Sequence, residues 1–182
     1  GELLARTSLF LHSTTVAENA VVDETLATGG VLVSEGFEDT LFSMRGGYGR
    51  WSGLTEEGKR NPIDTDKPEP IVPRSLIRGI KGRNDAQGDV RAAVDPEQVE
   101  RALNELIAAG AEAIGVSLMW SIANPETEEA VAEVVRRVCP DAFFSASHEL
   151  APIVGEYERT STVALNVRLG PVVRRYLETL AA

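Results

Sequence analysis

The sequence predicts an α/β fold with a largely parallel sheet and flanking helices, and three observations carry that prediction. From Asp95 onward, amphipathic helical patterns alternate with short apolar runs in the order helix, strand, helix, strand. Residues 113–119 (AIGVSLM) are almost continuously apolar, the pattern of a strand covered on both sheet faces. The segments between the strands are long enough to be crossover helices, which implies right-handed parallel connections.

Taken in order, residues 8–12 (SLFLH) and 30–34 (GVLVS) are short β-prone runs bounded by polar residues or glycine, and residues 16–26 between them suit a short helix. Asp95 is placed to cap the next helix, Pro96 suits its first turn, Gln98 has capping-box spacing and Gly110 closes it. Val99, Leu103, Leu106 and Ile107 form its core side. Asn124 and Pro125 open another helix with Val131, Val134, Val135 and Val138 on one stripe, and residues 142–147 supply another strand. Residues 157–180 are mostly helical in composition, with Val172, Val173, Tyr176, Leu177 and Leu180 on one side. Gly170 and Pro171 are expected to break or kink that helix, because proline removes a backbone donor and clashes with the preceding turn.

The chain has 182 residues with 28 acids and 18 bases, a net charge of −10, and 43% hydrophobic residues. That supports one α/β domain, or a fragment of a larger catalytic subunit, spanning residues 1–182. Gly1 is followed by an apolar Leu3-Leu4-Ala5 with hardly any room for a cap, so the sequence reads as a fragment. A pI near 4.7 excludes broad nucleic-acid and anionic-membrane binding, because both need a surplus of Lys and Arg. No apolar run approaches the roughly 20 residues that span a bilayer, and residues 1–11 lack a secretory signal pattern, so a cytoplasmic setting is expected. Cys139 has no second cysteine to pair with and reads as a packing residue. With only His12 and His148 beside it, no metal site is expected.

Residues 45–75 read as an irregular Gly/Pro-rich basic insertion. Between Arg45 and Arg83 nine Lys and Arg face five acids, a local +4 that leaves −14 on the remainder. This basic lobe is either an anion or partner surface, or a solvated excursion.

Two blocks carry chemistry-bearing side chains. His12-Ser13-Thr14-Thr15-Val16-Ala17-Glu18-Asn19-Ala20 leads hydroxyls into a helix start, where free N–H groups and the positive dipole end can meet phosphate or carboxylate. Ser and Thr are also simple helix caps. Residues 155–162 (GEYERTST) concentrate Glu156, Tyr157, Glu158, Arg159, Thr160, Ser161 and Thr162 before a helix, with Asn166 a turn farther on. Arg159 could clamp an anion and a Glu or Tyr could exchange a proton, or the block could be a salt-bridged helix start. His148, directly after a strand, could reach a cleft or serve as a hydrogen-bonded loop histidine.

The block HSTTVAENAV resembles the HGTTVATNA signature of the hydantoinase A / oxoprolinase / acetone carboxylase β-subunit family, and SHELAPIVGEYERTSTVALN resembles its EYERTSTTVLNA block. KPEPIVP (residues 67–73) and MWSIANPETEEAV (residues 119–131) resemble two further segments, in the same order. Ser13 stands where the family pattern has glycine and Glu18 where it has threonine, and the DxGGTFTD phosphate loop is absent from these residues.

The resemblance implies a piece of an actin-like ATPase (ribonuclease H-like) fold, of the kind shared with sugar kinases. It also implies part of the catalytic subunit of an ATP-dependent hydantoinase/oxoprolinase-type hydrolase or ketone carboxylase, which activates a carbonyl oxygen by phosphorylation. ATP and Mg²⁺ are implied for the full-length enzyme, none tightly held by these residues alone, with a small cyclic amide or ketone as substrate and a hydantoinase B-type partner. On that resemblance Thr14, Thr15, Glu158 and Arg159 are expected to be catalytic. His12, Asn19, His148, Glu156, Tyr157, Thr160, Ser161, Thr162 and Asn166 are expected to bind substrate, with the 156–159 block at the rim of a cleft. The competing expectation is a non-catalytic subunit-interaction module that retains the fold.

Overall fold

The computed structural model describes residues 6–8, 11–43, 55–57 and 70–181. Among the described residues four strands form a parallel sheet: β1 (Gly29–Ser34), β2 (Ile77–Ile80), and two strands later in the chain, Ala113–Ser117 and Phe143–Ala146. Between β2 and the later pair, β3 (Arg83–Asn84) and β4 (Val90–Ala92) make a small antiparallel hairpin, so the later strands are β5 and β6. The sheet order is β2-β1-β5-β6, and every pairing in it is parallel.

The helices are α1 (Val16–Val22), the single turn α2 (Thr40–Ser43), α3 (Pro96–Ala108), α4 (Glu126–Val138), the short α5 (Ser147–Leu150) and the long α6 (Glu156–Ala181). Every residue of β1 and β5 is buried, because helices cover both faces of the sheet. Val163 and Val167 of α6 lie over Gly115, Val167 also lies over Gly29, and Leu106 of α3 lies against Gly30 on the opposite face. Any Cβ on Gly115 would sit 2.4 Å from Val163, so glycine there sets how close α6 approaches.

The expected helix-strand-helix-strand order holds from Asp95 onward. Asp95 caps α3 by accepting the N–H groups of Glu97 and Gln98. Gln98, however, does not close a capping box: its Oε1 accepts the Lys81 N–H at 2.8 Å and so ties α3 to the end of β2. Gly110 follows the helix at φ +92°, a left-handed stop. Val99, Leu103 and Leu106 are buried as expected, whereas Ile107 is exposed, because the face turned to the sheet is narrower than the apolar stripe. Asn124 Oδ1 accepts the Glu126 N–H at the start of α4. Cys139 packs against the core, and burial pushes its thiol pKa up.

Three expectations are corrected. Of residues 8–12, Leu9 and Phe10 lie outside the described residues; Ser8, Leu11 and His12 are in no strand, and Leu11 is exposed. The helix expected to stop or bend near Gly170 and Pro171 runs through as α6, with Pro171 inside it. Gly170 lies under the Phe143 ring, where any Cβ would clash. The stripe from Val172 to Leu180 is not the core side of α6 either. Its buried residues are Arg159, Thr160, Val163, Ala164 and Val167, one turn after another along the half that crosses the sheet. Apart from residues 55–57 and 70–75, the expected basic insertion lies outside the described residues.

Candidate active site

In the chain, β1 is followed first by its neighbour on one side, β2, and later by its neighbour on the other, β5. The direction of winding therefore reverses between β1 and β5, and in open parallel sheets the crevice beyond the carboxyl ends of such a strand pair is where ligands bind. Both strands end in serine. A narrow cleft opens there, lined by Val33, Ser34, Phe37, Thr40, Ser117, Met119, Glu156 and Thr160.

The cleft is built by hydrogen bonds between segments far apart in sequence. Ser34 Oγ donates to the Gly82 carbonyl at 2.6 Å and accepts the Met119 N–H at 2.9 Å. Ser117 and Thr160 share a hydroxyl hydrogen bond at 2.9 Å, which joins β5 to the first turns of α6. The backbone then turns sharply at Trp120, which holds φ +57°, an unusual conformation for a bulky side chain. Glu156 Oε1 accepts the Trp120 N–H at 3.4 Å, and the carbonyl of Trp120 accepts the N–H of Ala123.

Behind the cleft lies a buried charge chain. Arg159, with no exposed surface, donates from Nη2 to Glu156 Oε2 at 2.7 Å and to the Leu118 carbonyl at 2.5 Å. Its Nε and Nη1 are buried without a hydrogen-bond partner among the described residues. Glu128, also fully buried, accepts from the Leu118 N–H at 2.7 Å, Ser147 Oγ at 2.6 Å, the His148 N–H at 3.0 Å and His148 Nδ1 at 2.7 Å.

The electrostatics follow from these contacts. Burial pushes the Glu128 carboxyl up, but the hydrogen bonds from His148, Ser147 and the backbone outweigh it and hold the group below the ordinary carboxylate value. Glu128 in turn raises the His148 imidazole above its ordinary value, chiefly through their hydrogen bond. Glu156 is raised by burial against the opposing pull of Arg159, so the one carboxylate of the cleft takes a proton more readily than an exposed glutamate.

The expected residues divide between two places. Glu156 and Thr160 line the cleft. Arg159 is not at its rim: it lies in the core, where Glu156 offsets its charge and the Leu118 carbonyl accepts a hydrogen bond from it. Tyr157 packs against the hydrophobic core, Glu158 and Ser161 are half-buried, and Thr162 Oγ1 turns back to the Glu158 carbonyl. His148 stands at the same edge of the sheet, on α5.

The His12 block lies elsewhere. The His12 ring stacks on Tyr176 and hydrogen-bonds its hydroxyl. Tyr176 is about 30 Å farther along α6 than Glu156 at 1.5 Å per residue. Thr14 Oγ1 accepts the Val16 N–H at 3.2 Å, Thr15 makes no side-chain cap, and Thr14, Thr15 and Asn19 are exposed. Asn166, whose Nδ2 donates to Ser145 Oγ, shares with Ala17 a roomier groove of 530 Å³ along α6, walled mainly by Phe143, Leu169, Val173 and Leu177. That groove has space and apolar surface; the cleft, whose volume of about 10 Å³ admits about one water, has the hydroxyls and the shifted carboxyl. We therefore place the candidate active site at the cleft.

Sequence reading missed Glu128, Ser34 and Ser117. A signal for Glu128 exists, since it shares the apolar stripe of α4 with Val131 and Val135 at helical spacing, and a carboxylate on a buried stripe must have partners.

Residues 4–139 match the family model described as the hydantoinase/oxoprolinase N-terminal region. The chain is 34% identical over 181 residues to the caprolactamase subunit alpha of Pseudomonas jessenii, covering all of this chain and 25% of that protein. It is 37% identical over 174 residues to the acetophenone carboxylase gamma subunit of Aromatoleum aromaticum, covering 92% of this chain and 24% of that protein. The crystal structure of the ATP-dependent caprolactamase from Pseudomonas jessenii superposes with a TM-score of 0.83 at 33% identity, over all of this chain and 25% of the other. A nucleotide-free acetone carboxylase structure superposes with a TM-score of 0.74 at 30% identity, over 89% of this chain and 23% of the other. The chain thus spans about a quarter of the length of the curated relatives it matches.

Proposed function

This chain belongs to the hydantoinase/oxoprolinase family, and on that premise we propose that it forms part of the catalytic subunit of an ATP-dependent enzyme. The enzyme opens a cyclic amide or carboxylates a ketone, its substrate's carbonyl oxygen being activated by phosphorylation. The observation that carries the reading is the cleft at the winding reversal, where Ser117, Thr160 and Glu156 converge. Ser117 and Thr160 share one hydrogen bond, which leaves one of the two hydroxyl hydrogens to donate to a carbonyl oxygen. Glu156, with its raised carboxyl, can hold an amide N–H or exchange a proton with the substrate.

The family relationship implies ATP with Mg²⁺, and the described residues offer no grouped carboxylates for the metal. Among them no three His, Cys, Asp or Glu side chains are grouped to hold a metal, and the cleft's carboxylate is engaged by Arg159. No step is therefore assigned through the nucleotide. In this reading the described residues bind and orient the carbonyl compound. The similar proteins are named as alpha and gamma subunits, which supports a partner subunit, of hydantoinase B type in this proposal. No helix among the described residues is long and apolar enough to cross a membrane, and the proposed setting is the cytoplasm.

The test is ATP turnover by the full-length protein with its partner against hydantoins, lactams, and aryl or alkyl ketones. Substrates labelled with ¹⁸O at the carbonyl are expected to deliver the label to the released phosphate. Substrate-dependent ATP hydrolysis with no label in phosphate would reject carbonyl phosphorylation. Absence of turnover across the panel would favour the non-catalytic interaction module.

A further inference from the structure

The segment between β2 and β3 crosses the carboxyl end of β1. The Ile80 carbonyl accepts the Glu35 N–H at 2.9 Å, the Gly82 carbonyl accepts Ser34 Oγ, and the Asn84 N–H reaches the Met119 carbonyl at 3.1 Å, where Arg83 makes a parallel bridge to Met119. Residues 80–84 therefore pass over the mouth of the cleft, from its Ser34 wall to its Met119 wall. The two side chains of β3 then diverge. Asn84 is fully buried, its Nδ2 donating to the Asn124 carbonyl at 2.7 Å and to Thr127 Oγ1 at 3.1 Å, whereas Arg83 is exposed and its guanidinium carbon stands 5.9 Å from the centre of the Phe37 ring. Met119 and Phe37 both line the cleft, so Arg83 has its backbone on one lining residue and its charge over another. That charge has no partner. Arg74, Arg78 and Arg91 each face a carboxylate, and Arg159 takes up Glu156, the carboxylate of the cleft. Arg83 has no ion pair and no side-chain hydrogen bond among the described residues, and Glu38, beside Phe37, lays its carboxylate over Gly79 of β2 instead. A guanidinium held over an aromatic face keeps its in-plane N–H fork, which matches the two oxygens of a carboxylate.

We propose that Arg83 is a binding residue for a carboxylate at the mouth of the cleft, and that this carboxylate is the one formed in the product. The proposal rests on the functional reading and deepens it. Adding water across the C–N bond of a cyclic amide leaves an amine and a carboxylate; joining CO₂ to the carbon beside a ketone's carbonyl, with loss of a proton there, leaves a keto acid anion. Both branches thus place a negative charge where the reacting group had none. A cleft with room for about one water admits an oxygen of that group and not the body of the compound. The new charge is therefore met by the residues around the mouth, where Glu156 is already held by Arg159 and the Arg83 guanidinium is open to receive it.

The experiment is calorimetric titration of the full-length protein with its partner. For an active lactam or hydantoin the probe is the ring-opened amino acid, for an active ketone the keto acid, and inorganic phosphate is titrated alongside. Arg83→Gln is expected to raise the Kd of the carboxylate at least tenfold, and Arg83→Lys at least threefold, because an ammonium lacks the planar fork. Arg136→Gln removes the same charge from the last turn of α4, at the other edge of the sheet, and is expected to change that Kd less than twofold. Should Arg83→Gln fail to fold, Arg83→Lys carries the test alone. A carboxylate Kd in Arg83→Gln within threefold of wild type, an equal loss in Arg136→Gln, a wild type that does not bind the carboxylate, or a loss confined to phosphate would each overturn the proposal. A wild type inert toward every amide and ketone of the panel defeats the functional reading and this proposal together. An active wild type whose product binds equally well without Arg83 defeats this one alone.

Discussion

Glu128 and Arg159 hold the two backbone groups of a single residue: Glu128 Oε1 accepts the Leu118 N–H at 2.7 Å, and Arg159 Nη2 donates to the Leu118 carbonyl at 2.5 Å. The carboxylate comes from α4 and the guanidinium from α6, so the segment leaving β5 is clamped between the helices of opposite sheet layers. Leu118 leads directly to Met119, tied to Ser34, and to Trp120 in its left-handed conformation. The clamp fixes the turn that forms one wall of the cleft.

The ionic partner of Arg159 is Glu156, and removing the guanidinium leaves that half-buried carboxylate without its counter-charge and the Leu118 carbonyl without its donor. Arg159→Ala is expected to lower unfolding stability by about 3–5 kcal/mol. Arg159→Lys is expected to be intermediate, since an ammonium can donate to two acceptors as Nη2 does but sits on a different stem that places it elsewhere. Urea unfolding of the three proteins provides the comparison. A lysine variant as stable as wild type would mean that a single charged donor, whatever its stem, is enough to hold Leu118 and Glu156.

The Glu128–His148 pair makes stability depend on pH in a defined window. The folded value of His148 is raised, so its contribution is fully present below 6.5 and is lost as pH rises through the raised value. The folded value of Glu128 is lowered, so its contribution is present above 4.5 and is lost as pH falls through the lowered value. Together they stabilise the fold most between about 4.5 and 6.5. The urea midpoint of wild type is expected to fall as pH rises from that window, and His148→Gln to flatten the alkaline side. Parallel pH profiles for the two proteins would show that the pair contributes nothing beyond contact.

Where the sequence was legible, each element had its own local signal. Strand β5 shows an apolar run, α3 has Asp95 before it and Gly110 after it, and α4 carries a valine stripe; these signals do not depend on the rest of the chain. The core side of α6 was not legible, since the apolar stripe from Val172 to Leu180 lies past the sheet and its burial is decided by what packs there. Arg159 was misplaced for a related reason. A count of charges in neighbouring positions sees Glu156 and Glu158 but not the Leu118 carbonyl, which lies 41 residues away in sequence and makes burial tolerable. The separation of the His12 block from the Glu156 block is likewise a property of the length of α6.

Close packing of α6 onto the sheet rests on Gly115 and Gly29, whose added Cβ atoms would lie 2.4 Å from Val163 Cγ1 and 2.5 Å from Val167 Cγ2. Gly115→Ala is expected to cost about 1–3 kcal/mol, since the helix and strand must part to admit the methyl. Val163→Ala alone should destabilise by leaving a void. The double variant Gly115→Ala/Val163→Ala should be more stable than the sum of the single effects allows, because the new methyl enters the vacated space. Strict additivity in thermal unfolding would count against direct contact as the origin of the cost.

The last prediction decides between the two places that hold the expected site residues. Thr15 is exposed, makes no side-chain cap and belongs to the block beside Tyr176; Glu156 lines the cleft and carries a raised carboxyl. Thr15→Val preserves shape and β-branching while removing a hydroxyl, and Glu156→Gln preserves shape while removing the titrating group. If chemistry is done at the cleft, Thr15→Val should leave kcat/KM of the full-length enzyme within about twofold, while Glu156→Gln should lower it at least tenfold, about 1.4 kcal/mol of transition-state stabilisation. Because Glu156 also neutralises Arg159, rates must be compared per folded molecule, at a temperature well below the melt of each variant. A tenfold loss from Thr15→Val with Glu156→Gln unimpaired would move the site about 30 Å along α6, to the groove between α1 and Phe143.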